Sequence, residues 1–217
     1  MPKKKWDLVN EAQQWFAHAQ REYEYRLGMH TLYSMCWDVP DHEDVKQTIS
    51  KLWLIGRSHA AALERRRESK RFPEPYEPTA ERLSKDAVFK KLLRDARQPR
   101  TKPEKYDERH LAAIHAVVSR LAMVFEETTG LSKVSLASKY AHFHAPDVPI
   151  YDSISSSALR LLLQKRDIPH DAAVYWDRDI YGRHLARFTA AFRILKSSGF
   201  DVDARSLDTF LLSWGDD

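Results

Sequence analysis

Residues 129–153 read TGLSKVSLASKYAHFHAPDVPIYDS, and this stretch decides how the chain arranges its polar residues. Gly130 predicts a turn, and the pattern after it predicts a helix from about Val134 to His144. Two prolines end that helix, so Asp152 arrives at the start of another one. Lysine, histidine and aspartate side chains are thereby held between two apolar runs, and we expect the chemistry of the protein to lie here.

Outward from this stretch, apolar residues recur at three- and four-residue steps, the pattern of amphipathic helices. No alternating apolar and polar run is long enough to predict a sheet. The chain holds 6 glycines and 10 prolines, and the prolines cluster between the periodic segments. We predict an all-α protein of about eight helices in one domain over residues 1–217, with helices that include 7–27 ending at Gly28, 80–97, 106–127 and 172–195.

The composition indicates the compartment that we expect. A chain of 217 residues can bury a core without disulfides, and Cys36 is its only cysteine. No apolar run approaches the ~20 residues of a membrane-spanning helix, and no signal-peptide pattern is present. These features predict a cytoplasmic protein that does not bind membranes.

The charge of the chain is modestly basic, with 35 Lys or Arg against 31 Asp or Glu and a pI near 9.1. The proline-rich section 64–109 holds 15 basic and 10 acidic residues, so it carries the whole excess. One interpretation is a surface that contacts nucleic-acid phosphates. The other is a solvated helix between linkers, and the sequence does not choose between them.

Two lysines and one aspartate carry the candidate chemistry. A lysine that burial makes less basic is a nucleophile toward an electrophilic carbon, and a nearby carboxylate can take its proton or stabilise developing positive charge. Cleavage of a glycosidic bond is one reaction of this kind. Lys133, Lys139 and Asp152 are the candidates, although Asp152 also fits an N-cap of the helix that follows it.

The run GLSKVSLASKYAHFHAPDVPIYDS resembles the hairpin, second helix and aspartate segment of the helix-hairpin-helix DNA glycosylases, which include endonuclease III and the 8-oxoguanine glycosylases. It is most similar to a bacterial group described as having an 8-oxoguanine DNA glycosylase fold. The similarity extends through LIGRSHAAALERR and LDTFLLSWG. Lys133 and Asp152 lie 19 positions apart, close to the family spacing, whereas Lys139 lies 13 before Asp152.

The resemblance implies an all-helical DNA repair hydrolase that flips a modified base out of double-stranded DNA and cleaves its N-glycosidic bond. Lysine would attack C1′, and Asp152 would act as acid and base or stabilise the cation. No cofactor is expected. The residues that the resemblance places against DNA are Gly130, Ser132, Ser135, Tyr151 and Ser153.

The chain departs from the family at three points. Its turn offers only Gly130, where the family hairpin has two glycines whose amides cradle a phosphate. A four-cysteine iron–sulfur motif is missing, because Cys36 is alone. Lys133 and Lys139 are six residues apart and fall on different faces of a regular helix, so at most one of them can point at a site.

Two further patterns give rival predictions. His142 and His144, with Asp147 or Asp152, suggest a metal site, but residues separated by one lie on different sides of a helix, so we predict none.

Arg109 with His115, or Arg178 with His184, matches the short spacing of helical metal-independent ribonucleases found in toxins and defence proteins. A third possibility is a DNA-binding module that keeps the glycosylase architecture without its activity.

Overall fold

A computed structural model describes residues 7–18, 23–67, 70–98 and 106–216. Within these ranges the protein consists of α-helices, one short 3₁₀ helix at Lys165–Asp167 and connecting turns, with no strand. The all-α prediction is confirmed. None of the helices described is long and apolar enough to cross a bilayer.

The chain forms two compact units. The described residues of the first unit come from 1–23, 99–111 and 149–217, and those of the second come from 24–98 and 112–148. The prediction of one domain stays a prediction, and each unit is described by itself.

The first unit is built on a long central helix, α10, against which α1, α8 and α9 pack, while α11 packs on α8 and α1. Its interior is apolar and aromatic, with Phe188, Phe192 and Phe210 fully buried. The helices of this unit are α1 Leu8–His18, α8 Ser153–Leu162, α9 His170–Ala173, α10 Ile180–Ser197 and α11 Ala204–Asp216.

The second unit is organised around α3, which packs on α4 and on α7. The longest helix, α6, begins with its first four residues in the first unit and continues into the second. Its buried face is apolar, as its sequence pattern predicts. The helices are α2 Tyr23–Asp38, α3 Val45–Ser58, α4 Tyr76–Lys85, α5 Ala87–Ala96, α6 Glu108–Thr129 and α7 Val134–His144.

Three predicted boundaries are wrong. Helix α2 runs through Gly28, because this exposed glycine costs only about 1 kcal/mol and the following turns are anchored by buried Met29 and Leu32. The predicted helix 80–97 is two helices, since Asp86 leaves helical geometry and caps α5 through the Phe89 amide. The predicted helix 172–195 is likewise divided into α9 and α10.

Candidate functional site

The turn predicted at Gly130 is confirmed. Helix α6 ends at Thr129, and Gly130 has a φ of 76°, a left-handed conformation that glycine adopts without strain. The Thr129 hydroxyl stabilises the turn, because it donates to the Phe125 carbonyl at 2.7 Å and accepts from the Leu131 amide at 3.2 Å. Helix α7 then begins at Val134, where the sequence predicts it.

The first turn of α7 has amides without a side-chain cap. Lys133 occupies the N-cap position, and its carbonyl accepts the Ala137 amide at 2.8 Å, but its side chain makes no capping hydrogen bond. Ser132 is exposed and Ser135 is half-buried beside these amides. An uncapped helix N-terminus favours an anion, since its amides and the helix dipole both attract negative charge.

Lys133 is half-buried, and its ammonium donates to the Arg65 carbonyl. Burial lowers the pKa of Lys133; Glu64 opposes this shift, while the positive charges of Arg66 and Arg67 add to it. A lysine with a lowered pKa has a larger fraction of nucleophilic free amine at neutral pH.

Lys139 lies in different surroundings, as its spacing from Lys133 predicts. It is 7% exposed, and its ammonium donates to the His59 carbonyl at 3.2 Å. The backbone of the segment after α3 therefore covers Lys139, whereas Lys133 stands at the start of α7.

His142 is part of the framework of the second unit. Its Nδ1 lies 2.7 Å from the Val148 carbonyl, which can only accept, so Nδ1 carries the proton. Nε2 then accepts the hydroxyl proton of Tyr33. Because both ring nitrogens have hydrogen-bond partners, neither is open to a metal ion in this arrangement. His142 instead holds the loop after α7, at Val148, against Tyr33 of α2.

His144 is also held neutral. Its Nδ1 accepts from Arg97 at 2.9 Å, and the same guanidinium donates to the His144 carbonyl at 2.8 Å. Burial lowers the pKa of His144 well below its usual value, and the charges of Lys51 and Arg97 lower it further. No group of three metal-ligating side chains occurs in the part of the chain that is described.

Asp152 belongs to the first unit and caps α8. Its Oδ1 accepts the Ser155 amide at 2.8 Å, and the Ser155 hydroxyl accepts the Asp152 amide at 3.4 Å. The N-cap interpretation is therefore confirmed. Oδ2 makes no hydrogen bond to another described residue, and Ser153 is exposed at the first position of α8.

Tyr151 and His184 lie near Asp152. The two rings meet edge to face, with centroids 5.4 Å apart. His184 is buried, and burial lowers its pKa to about 4 although the negative charge of Asp152 opposes the shift. Burial raises the pKa of Tyr151, while the charges of Arg160 and Arg183 act in the opposite direction.

Three arginines of the first unit, which we call the arginine cluster, lie close to these residues. Arg160 projects from α8, and Arg183 and Arg187 stand one turn apart on α10. Burial lowers the pKa of Arg187, and the positive charges of Arg160 and Arg183 lower it further. Among the described residues, no carboxylate forms an ion pair with any of the three.

The arginine cluster is missed by the sequence prediction, although a signal was present. Helix α10, IYGRHLARFTAAFRILKS, contains no acidic residue, and α8 contains none either. The cations of such a helix stay unpaired unless other elements supply carboxylates, as Asp171 does for Arg193 and Asp201 does for Lys196.

The described part of the charged section 64–109 does not favour its interpretation as a phosphate-contacting surface. Four of the five lysines and arginines of α4 and α5 pair with carboxylates: Arg82 with Asp86 and Glu127, Lys85 with Glu81, Lys90 with Glu43, and Lys91 with Asp95. This favours the solvated-helix interpretation for the described part. The rest of the basic loop, residues 99–105, lies outside the described residues.

Neither rival ribonuclease pair is an exposed pair. Arg109 and His115 lie six residues apart on α6, and His115 is buried with 9% exposure. Arg178 stacks over Tyr175 with its Cζ 4.7 Å from the ring centroid, and His184 is buried with 1% exposure. Both histidines therefore pack as interior residues.

Comparison of the chain with protein-family models, with curated proteins and with solved structures finds no match.

Proposed function

We propose that this chain is a DNA glycosylase-like protein that recognises a modified or damaged base in double-stranded DNA and cleaves its N-glycosidic bond. Lys133 is the proposed nucleophile, and Asp152 is the proposed carboxylate. The proposal combines the sequence resemblance with the chemistry of these two side chains, each of which is considered within its own unit.

The observation that carries the proposal is the position and state of Lys133. This lysine follows the left-handed Gly130 turn, stands at the N-cap position of α7 and has a pKa lowered by burial. A nucleophilic lysine at the start of a helix is what the resemblance implies. The uncapped amides beside it are suited to a backbone phosphate of the same substrate.

The choice of Lys133 over Lys139 rests on access. Lys139 is 7% exposed and donates to the His59 carbonyl, so an attack by its amine requires the segment after α3 to move. Lys133 also has a carbonyl partner, Arg65, but it is half-buried. We propose that Lys139 has a structural role, in which its hydrogen bond to the His59 carbonyl holds α7 in place.

The reaction is a displacement at C1′ of the target nucleotide. The free amine forms the bond to C1′, the bond from C1′ to the base nitrogen breaks, and the base leaves with the electron pair and takes up a proton. The attacking nitrogen loses one proton to solvent or carboxylate. The bond from C1′ to the ring oxygen then breaks, the oxygen leaves with the electron pair and takes up a proton, and the nitrogen forms a protonated imine with C1′. A carboxylate stabilises the positive charge that develops on the sugar, a role for which Asp152 retains the unbonded Oδ2.

Borohydride trapping tests the nucleophile, because it reduces the imine to a stable amine. We expect wild-type protein to form a covalent adduct with a duplex that carries an oxidised base or an abasic site. Lys133→Ala should abolish the adduct, and Lys139→Ala should keep it if the variant folds. Lys85→Ala removes an exposed amine that pairs with Glu81, so it is the matched control and should trap like the wild type.

Trapping that survives Lys133→Ala would remove Lys133 from the mechanism. Release of free base without any trapping would replace the lysine by an activated water, with Asp152→Asn then expected to abolish release. Absence of both adduct and free base on a panel of modified duplexes contradicts the enzymatic proposal.

A second candidate is a DNA-binding module without activity. The capping box of Asp152 favours it, because Oδ1 is already bonded to the Ser155 amide and the carboxylate has a structural role. Salt-sensitive binding of duplex DNA with no base release selects this candidate over the enzyme.

A further inference from the structure

The proposed chemistry leaves the arginine cluster of the first unit unexplained. Arg183 and Arg187 are four residues apart on α10 and share one face. Arg160 is on α8, which packs against α10. Like charges so arranged repel each other, and this repulsion destabilises the fold by a small amount.

Most donors of the cluster are unused within the described chain. The Arg187 Nε is buried without a hydrogen-bond partner, and the Arg183 guanidinium makes no hydrogen bond. Arg160 donates one bond, to the Ser157 hydroxyl at 2.8 Å. A guanidinium has five donors, and a buried donor without an acceptor carries a desolvation cost. An external anion would supply the missing acceptors.

The cluster is also held in place. The Arg187 Cζ lies 4.4 Å from the centroid of the Trp176 ring, and the Lys165 ammonium lies 5.6 Å from the same centroid. These cation–π contacts orient the two cations on one aromatic side chain.

The loop that carries Trp176 is fixed to α10 by backbone contact. A Cβ on Gly182 would lie 2.3 Å from the Tyr175 carbonyl oxygen, so only glycine fits at this point of the first helical turn. Trp176 directly follows Tyr175 in the chain, so the packing of the Tyr175 backbone on Gly182 fixes the position of Trp176 relative to Arg187.

We propose that Arg160, Arg183 and Arg187, with Lys165 beside Trp176, bind backbone phosphates of a DNA duplex. A group of cations that form no ion pair suits a polyanion better than a single carboxylate, and planar guanidiniums match phosphate oxygens two at a time. The identity of the ligand rests on the proposed function, because Tyr151 and Asp152 lie beside the cluster in the same unit.

The test measures binding and not catalysis. A labelled duplex with no modified base is titrated with protein at several salt concentrations, and fluorescence anisotropy gives the Kd. For the double variant Arg183→Gln, Arg187→Gln we expect about tenfold weaker binding or more, and a salt slope smaller by about 1 to 2, since each phosphate contact contributes about 0.9.

Arg166→Gln is the matched control. Arg166 is an exposed arginine of the same unit whose guanidinium has a carboxylate neighbour, Asp167, at 4.0 Å. This variant loses one positive charge, as Arg183→Gln alone does, and its affinity should stay within about twofold of the wild type. Arg187→Lys keeps the charge but loses the planar fork, so its affinity should fall between those of the wild type and the double variant.

Inorganic phosphate gives a second readout. It should raise the melting temperature of the wild type more than that of the double variant, compared with chloride at equal ionic strength. If the double variant does not fold, the binding test uses the single variant Arg183→Gln, because Arg183 is exposed.

The outcomes separate the two proposals. Cluster-dependent binding by a protein that releases no base refutes the glycosylase and keeps the phosphate site. Base release by a protein whose double variant binds duplex with wild-type affinity and slope refutes the phosphate site alone. A wild type that binds no DNA duplex, or binds only a matched RNA duplex, overturns the phosphate site as well.

Discussion

The arginine cluster of the first unit and residues 64–98, the part of the charged section that belongs to the second unit, differ in how their cations are neutralised. Around Asp86, the guanidiniums of Arg82 and Arg120 converge on one buried carboxylate. Around Trp176, neither Arg187 nor its neighbours Arg160 and Arg183 form an ion pair with a carboxylate of the residues described. A count of charged residues therefore does not identify an anion-binding surface, because what matters for an anion is unpaired charge.

The Asp86 arrangement stabilises the fold of the second unit. Its Oδ2 accepts from the Arg120 Nε at 2.8 Å, and its Oδ1 accepts the Phe89 amide at 2.9 Å at the start of α5. Burial alone would raise the pKa of Asp86, but the amide and the guanidiniums outweigh it, and the net pKa is lowered. Asp86 is thus a helix cap and the anion of a buried ion pair at once.

The largest effect that we expect is from Asp86→Ala. It removes the cap of α5 and leaves Arg120 without its carboxylate, so the free energy of unfolding should fall by about 3 to 5 kcal/mol, measured by urea denaturation. Asp95→Ala is the control, since Asp95 pairs with Lys91 on the exposed face of α5. That variant should lose less than about 1 kcal/mol. Equal losses in the two variants would contradict the distinction between buried and exposed pairing.

A smaller loss of stability is expected at acid pH. It depends on two buried histidines, one in each unit. Burial lowers the pKa of His42 to about 3, with Lys51, Arg97 and Lys90 adding to the shift, and burial lowers that of His184 to about 4. The unfolded chain takes up protons near pH 6.5 and the folded one does not. Stability is therefore retained above about pH 6.5 and falls as pH decreases toward these values.

The neutral state of His184 should lower the free energy of unfolding by about 3 kcal/mol at pH 4 relative to pH 7, since one unit of pKa corresponds to about 1.4 kcal/mol. Denaturation at pH 7, 5.5 and 4.5 measures it. His184→Gln and His42→Gln cannot take up the proton and should each give a flatter pH dependence than the wild type. A wild-type slope that neither variant changes would assign the acid sensitivity to other groups.

Local patterns in the sequence are enough to place several parts of the candidate site. Helix α7 has the predicted bounds, and the turn at Gly130 is in place, because periodicity and a left-handed glycine depend on near neighbours. The cap at Asp152 is local for the same reason. The separation of Lys133 from Lys139 follows from the geometry of one helix.

The parts that the sequence prediction missed depend on distant contacts. Arg160 and Arg187 come from different helices, and only the packing of α8 on α10 shows that they share a surface. The break at Asp86 is stabilised by Arg120, which lies 34 residues further along the chain. The ion pairs of the charged section are likewise invisible to a count of charges. No local pattern encodes these pairings, and the absence of acidic residues from α10 is only a partial signal, because Arg193 and Lys196 of this helix find carboxylates elsewhere.

The smallest effect is the sharpest test of the comparison, because its sign differs between the two units. Arg82→Gln removes a guanidinium that contacts Asp86 at 3.4 Å and Glu127 at 3.1 Å, so it should destabilise the protein by about 0.5 kcal/mol. Arg183→Gln removes repulsion from Arg187 and should stabilise the protein by roughly 0.2 to 0.5 kcal/mol.

Both shifts should shrink in 1 M salt, where screening shortens the range of exposed charges to about 3 Å. Paired urea midpoints at low and high salt measure the difference. If Arg183→Gln destabilises the protein at low salt as Arg82→Gln does, then Arg183 has a carboxylate partner in solution and the arginine cluster is not an unpaired surface. If the signs differ and converge in salt, the positive charge of α10 is retained at a cost to folding, which is expected of a surface whose counter-charge is a ligand.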